Sequence, residues 1–308
     1  MGRVSPKMFN ENKFGKNLTL TPLVSIIIPT YNSMTGTKNI DRTLKSLMDQ
    51  TYKNIEILVI DNFSKDATPE VCKSYPIRFF FFNGNRSKAR NYGINRMLGD
   101  YALFVDSDHV LTPKVVEDCI EQGIHFGADC VLVPVKFVSD RKSFLDCSQM
   151  RNIEYKLGLG KQTCLLFYSK SMIQNIRYCE NVELFEDAVF SSEALKKQPK
   201  VSRIRSSIYH IEDGTIKNLI LRSWNYGKKF RFTITEIGFR DSTRFILDLS
   251  ALNVRTLTKS SKIILNDLNS LITMFHFLIY ILLKHFSFGI SYCLSLMERT
   301  HTRARFSL

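Results

Sequence analysis

Short, mostly apolar runs alternate with segments of helical periodicity along the first half of the chain. The runs fall at residues 24–28, 55–60, 78–82, 101–105 and 129–135, and each predicts a strand. They are apolar at nearly every position rather than at every second one, which suits strands covered on both faces. Between them, residues 40–48, 68–75, 87–99 and 112–127 carry helix signals. Thr68-Pro69 and Thr112-Pro113 place a capping residue before a first-turn proline, and Gly127 offers a C-terminal stop. Strand and helix in turn predict an α/β fold with a mostly parallel sheet. Pro29 is expected to stop the first strand, because it has no N–H for a ladder. The run Phe79-Phe-Phe-Phe82 reads as strand core rather than an aromatic binding box.

Beyond Pro134 the alternation loosens. Residues 164–168 and 201–209 predict strands, and residues 186–197 a helix. Residues 215–232 are amphipathic, with Ile216, Leu219, Ile220 and Trp224 on one side. Lys217, Arg222, Lys228, Lys229 and Arg231 supply the polar side, and Trp224 and Tyr226 fit either an acceptor path or, the favoured reading, a seam between domain and tail. Residues 271–283 and 286–296 are nearly continuous apolar sequence, interrupted by Lys284-His285. Neither stretch reaches the ~20 residues of a membrane span. The pattern predicts one or two helices lying in a membrane interface, with Arg299, Arg303 and Arg305 beside them. A helical hairpin packed on the preceding domain, or a dimer contact, is the alternative. The chain thus divides into a flexible lead-in at 1–22, an α/β domain at 23–214 and a basic, apolar helical extension at 215–308.

Composition narrows the class. With 308 residues, 44% hydrophobic and 23% charged, the chain is globular rather than disordered. Its net charge is +14, and residues 196–262 hold 15 Lys and Arg against 5 Asp and Glu. Such a surface favours an anionic partner without naming it. The basic residues interleave with an apolar helix face, and no nucleic-acid module is visible, so nucleic acid is not expected. Seven scattered cysteines, without a C-x-x-C pair, read as reduced thiols of a cytosolic or cytosol-facing protein. The polar first 22 residues show no signal peptide.

The candidate chemistry starts at Asp106-Ser107-Asp108, which closes an apolar run. Two carboxylates at the carboxyl end of a buried strand suit a hard divalent cation beside substrate phosphates. Open α/β sheets bind ligands in the crevice outside those strand ends. Thr30 and Tyr31 follow the first strand, where a backbone turn and a ring would hold a nucleobase, and Asp61 ends the second with a carboxylate. Asn85-Arg-Ser-Lys-Ala-Arg90 opens a helix whose N-terminus and basic residues attract a diphosphate. Glu186-Asp187 precedes an apolar helical run, which suits a carboxylate base at a helix start.

Taken in order, Val24-Ser-Ile-Ile-Ile-Pro-Thr-Tyr-Asn32, Val59-Ile-Asp-Asn-Phe-Ser-Lys-Asp66, Ala89-Arg-Asn-Tyr-Gly93, Asp106-Ser-Asp108, Glu186-Asp187 and Tyr209-His210 resemble the family 2 glycosyltransferases. The resemblance covers about residues 23–212. It implies a GT-A fold, Rossmann-like, with a helical C-terminal extension. It also implies inverting transfer of a sugar from a UDP- or GDP-linked donor to a hydroxyl on a glycan or lipid-linked acceptor. Asp187 then matches the family's base and Glu186 its supporting carboxylate. Pro29, Thr30, Tyr31, Asn32, Asp61, Lys88, Arg90, Asp106 and Ser107 fall on the donor side. Asp108, with Asp106 and His210, would hold Mg²⁺ or Mn²⁺ on the diphosphate. Asn62 departs from a second acid common in relatives, and Asp66 reads as a turn or helix cap. His109 departs too, and reads as a polar loop residue. The expected location is peripheral, on the cytosolic face of a membrane. A non-catalytic scaffold keeping the fold is the alternative. A sugar nucleotidyltransferase is less favoured, since Pro29-Thr-Tyr-Asn32 replaces the Gly-rich triphosphate loop.

Overall fold

The computed structural model describes residues 21–35, 39–141, 144–156, 165–237 and 271–305. The expected lead-in therefore lies almost wholly outside the described residues. Strands β1 (Val24–Thr30), β2 (Ile55–Asp61), β3 (Arg78–Phe81) and β4 (Tyr101–Phe104) alternate with helices α1 (Ile40–Met48), α2 (Thr68–Lys73) and α3 (Arg86–Ile94). The chain continues through β5 (His109–Leu111), α4 (Val115–Phe126), β6 (Cys130–Leu132), β7 (Val135–Ser139) and α5 (Cys147–Lys156). After these come β8 (Leu165–Ser169), α6 (Lys170–Ile173), α7 (Glu186–Lys196), β9 (Val201–Arg203), β10 (Ile208–Glu212), α8 (Ile216–Ile237) and α9 (Leu271–Arg305).

Seven strands form one sheet in the order β3-β2-β1-β4-β8-β6-β9, with β1 parallel to both β2 and β4. Every residue of β1 is buried, which explains a run that is apolar except at Ser25 and Thr30. Alternate side chains still go to opposite faces. Ile26 and Ile28 join Leu44, Leu47, Val116 and Cys119 on one side, while Ile27 joins Ala89, Phe104 and Phe190 on the other. Gly93 of α3 lies so close to Ile27 that an added Cβ would sit 2.5 Å from its Cγ2. Gly127 closes α4 in the left-handed region at φ 59°, as its position in the sequence led us to expect.

The sequence misplaced several boundaries. β1 runs through Pro29, which pairs with Ile60 of β2. The pairing with β4 ends at Ile27, so no ladder acceptor is left facing the absent N–H. Residues 129–135 are two strands, as are residues 201–209, because each stretch crosses from the large sheet into a second one. That second sheet has the order β5-β10-β7. β3 is an edge strand, where Phe81 is exposed and stacks on Phe63 with ring centroids 5.4 Å apart. Of the one or two helices expected over residues 271–296 there is one, α9, since Lys and His are ordinary helix residues. No helix among the described residues is long and apolar enough to cross a membrane.

Candidate active site

The carboxyl ends of β1 and β4 open into a cleft of about 1150 Å³. Pro29, Thr30 and Tyr31 line one part, followed by Asp106, Ser107 and Asp108 between β4 and β5. Ser107 Oγ lies 2.7 Å from Ser33 Oγ, which itself accepts from Thr30 Oγ1 at 2.7 Å, so the two strand ends are tied together. Asn62 and Arg86 join from β2 and α3, and Glu186 and Asp187 from the first turn of α7. Phe185, just before them, is left-handed at φ 63°, an uncommon conformation for an aromatic residue.

Arg90 organises the acids. Its guanidinium donates to Asp106 Oδ1 at 2.7 Å, to Asp187 Oδ1 at 2.6 Å and to Glu186 Oε1 at 3.2 Å. The residue is 2% exposed, and its guanidinium carbon sits 5.0 Å from the centroid of Tyr178, which stacks on Phe190 at 4.0 Å. Arg86 adds a second pair to Glu186 Oε1 at 2.9 Å. Burial opposes ionisation of Asp106, yet Arg90 and Arg86 outweigh it and hold that carboxyl well below its usual range. Asp187 goes the other way. Burial dominates, with Glu186 and Asp106 adding repulsion, and its pKa is pushed up to about 7 despite Arg90.

A second cluster forms where the small sheet meets the Asp106–Asp108 turn. Cross-strand register sets His109 of β5 opposite His210 of β10, with rings 4.9 Å apart. His109 is thus a buried strand residue and not the polar loop residue expected. Its Nδ1 accepts from the backbone N–H of Asp106 at 3.2 Å. Burial lowers its pKa to about 4. His210 Nε2 lies 3.4 Å from Asp108 Oδ2. Burial opposes the charged form of His210, but Asp108 raises its pKa, and His210 in turn lowers that of Asp108 against burial. Ligand atoms of Asp108, His109 and His210 all lie within 4.8 Å of one another. Asp108 Oδ1 is buried with no hydrogen-bond partner, as expected of an oxygen that awaits a cation. Near it stand four carboxylates (Asp106, Asp108, Glu186, Asp187) against the guanidiniums of Arg86 and Arg90, so the residues fit a divalent ion.

Not every residue expected on the donor side faces this cleft. Asp61 is fully buried, and its oxygens accept from Ser64 N at 2.8 Å and Ser64 Oγ at 2.5 Å, while Asn62 takes the position on the cleft wall. Asn32 is a turn residue at φ 45° whose side chain accepts from Lys65 N. Lys88 is exposed on the outer side of α3. Asp66 caps α2, accepting from Thr68 N and Thr68 Oγ1. Most of the far wall was not foreseen: Arg151, Glu212, Arg222 and Lys229 line the cleft, together with Tyr226, for which an acceptor path was the less favoured reading. Glu212 Oε2 is shared by Arg151 and Arg222, which links α5, β10 and α8. The helical period of α8 was the available signal, since Asn218, Leu221, Arg222, Asn225, Tyr226 and Lys229 repeat at one-turn spacing. Tyr226 is therefore a cleft residue rather than part of the seam, whereas Trp224 meets α9 through its backbone oxygen, which accepts from Ser291 Oγ.

Comparison with known proteins agrees with this architecture. Residues 25–173 match the sequence model of Glycosyl transferase family 2. An uncharacterised glycosyltransferase of Rickettsia typhi is 41% identical over 105 residues, which are 33% of this chain and 32% of the relative. The matched segments span about a third or less of the length of the first curated relatives. Among solved structures, the mannosyltransferase PcManGT from Pyrobaculum calidifontis, in complex with GDP-Man and Mn²⁺, superposes with a TM-score of 0.56 at 14% identity. It covers 91% of this chain and 88% of that one. Residues 1–349 of TarS from S. aureus, in complex with UDP, give a TM-score of 0.50 at 22% identity, covering 67% and 65%. These two likenesses are of fold, and the fold is GT-A.

Proposed function

The chain carries a family 2 glycosyltransferase domain at residues 25–173, and from that premise we propose inverting transfer of a sugar from a UDP- or GDP-linked donor to a hydroxyl acceptor. The acceptor is a lipid-linked or growing glycan, met at the cytosolic face of a membrane. Domain 23–214 holds the donor, and extension 215–308 completes the cleft through α8. The observation that carries the reading is the triple ion pair of Arg90, which joins Asp187 and Asp106 across one cleft.

In this reading Asp187 accepts the proton of the acceptor hydroxyl. A pKa of about 7 suits that task, because about half of the base is ionised at neutral pH and it is still basic enough to take a proton. Glu186, held by Arg86 and Arg90, keeps the first turn of α7 in place. The acceptor oxygen attacks the anomeric carbon as the bond to the diphosphate breaks, and one displacement inverts the centre. Pro29, Thr30, Tyr31 and Asn62 surround the nucleoside end. Asp108, with His210 and His109 beside it, would hold Mg²⁺ or Mn²⁺, which neutralises charge on the departing diphosphate when bound. The UDP and the GDP-Man with Mn²⁺ held by the two structural neighbours support this donor class.

Calorimetric titration of the purified protein with UDP and with GDP, each with and without Mn²⁺, tests the proposal. Binding of one nucleotide that needs both Mn²⁺ and Asp108 is expected. A folded sample that binds neither nucleotide overturns it.

A further inference from the structure

Helix α9 has two unlike faces. On the inner one, Tyr280, Ser287 and Ser291 are buried, with Tyr280 1% exposed. This face packs on α8, where a Cβ on Gly227 would run into the backbone oxygen of Phe288. The ring of Phe230 fills the same contact, 5.6 Å from Phe288 and 5.8 Å from Tyr292. The outer face is apolar and exposed among the described residues. Phe275, Leu278, Leu282, Phe286, Ile290 and Leu294 are all exposed, with Leu282 at 68% and Phe286 at 70%. Their spacing of three and four residues aligns them in one stripe. At about 1.5 Å per residue the stripe runs about 28 Å. No charged residue interrupts it, and His285 lies at its margin. A continuous apolar surface of this extent marks an interaction site.

We propose that this stripe seats in the interface of an anionic lipid bilayer, with α9 lying parallel to the surface. Three observations select that occupant. The helix has no stretch long and apolar enough to cross, so its apolar residues meet lipid from one side only. Apart from Arg222 and Lys229, which face the cleft, the sequence of α8 and α9 holds seven Lys and Arg (217, 228, 231, 284, 299, 303, 305) against two Glu (236, 298), which complements acidic headgroups. A second copy would bring another +14 chain against the same basic pair of helices, and repulsion disfavours that pairing.

The placement bears on the reaction. α8 turns Arg222, Tyr226 and Lys229 toward the cleft and buries Leu219, Ser223, Gly227 and Phe230 on a different face. A bilayer against the outer face of α9 therefore lies one packed helix away from the cleft wall, about 10 Å. This rests on the transferase reading and adds where an acceptor's anionic headgroup meets it: at the lipid surface beside α8.

The test is co-flotation of the full chain with vesicles of equal parts phosphatidylglycerol and phosphatidylcholine, and with phosphatidylcholine alone. The wild type is expected to float with the anionic vesicles. The exposed pair Leu282→Glu/Phe286→Glu should reduce that binding at least about tenfold, with thermal unfolding and UDP or GDP titration unchanged. Equal flotation of both proteins overturns the proposal. So does a wild type that ignores vesicles and instead forms a dimer that the double variant dissolves, which would assign the stripe to self-association. Loss of nucleotide binding with flotation intact would instead strike at the transferase reading alone.

Discussion

Arg90 Nη1 lies 2.6 Å from Asp187 Oδ1, and the same guanidinium reaches Asp106 through Nη2 at 2.7 Å. One planar fork thus sets the distance between two acids that come from different ends of the domain. Replacing it by Arg90→Ala leaves buried carboxylates without a counter-charge, at a cost of roughly 3–5 kcal/mol. Arg90→Lys keeps the charge but not the fork, so stability should recover in part while transfer stays low. Thermal unfolding and initial rates measured on both variants separate these effects.

Asp187→Asn should lower transfer by at least about a hundredfold, because the acceptor proton loses its base. Nucleotide affinity should hold, since the side chain keeps its size and, in the proposed reading, serves the acceptor end. Parallel loss of both would argue against the base assignment.

With Asp187 as the proposed base, its raised pKa should set the pH profile. A base works only when ionised, and burial has moved that transition up to about 7. Activity, measured as kcat/KM, should therefore fall on the acid side with a midpoint near 7 and level off above it. An acid limb near 4 would mean that another group is titrating.

Asp108→Ala and His210→Ala should each weaken Mn²⁺ binding at least about tenfold. Electron paramagnetic resonance of free Mn²⁺ reads this without any turnover. His109→Ala should have a smaller effect, because Nδ1 of that ring is already engaged by the Asp106 N–H.

Gly227→Leu should destabilise the α8–α9 pair by about 1–3 kcal/mol, the usual cost of overpacking. A lowered first transition in thermal unfolding, with the nucleotide-stabilised transition unmoved, is the expected outcome.

Much of the fold was legible in the chain itself. The nearly continuous apolar runs of β1, β2 and β4 suit strands covered on both sides, and the two flanking core clusters cover them. Asp106, Asp108, Glu186 and Asp187 were identifiable from motif order alone, and all four line the cleft. Asp61 and Asn62 show the limit. Their order in the chain is plain, but only the turn made by Ser64 decides that Asp61 faces inward and Asn62 faces the cleft.

Local pattern determined the strands, the helices and the acids at strand ends, because periodicity and capping act over a few residues. Tertiary structure decided the partnerships. His109 meets His210 only because β5 and β10 pair antiparallel, and Arg90 bridges Asp106 and Asp187 only because α7 returns to the end of β4. The small sheet was hidden for the same reason: residues 129–135 change sheets at Pro134, and a proline marks a break without saying which sheet the chain joins next. The raised pKa of Asp187 is likewise a property of burial among those partners, since an aspartate in the extended chain would titrate near its ordinary value.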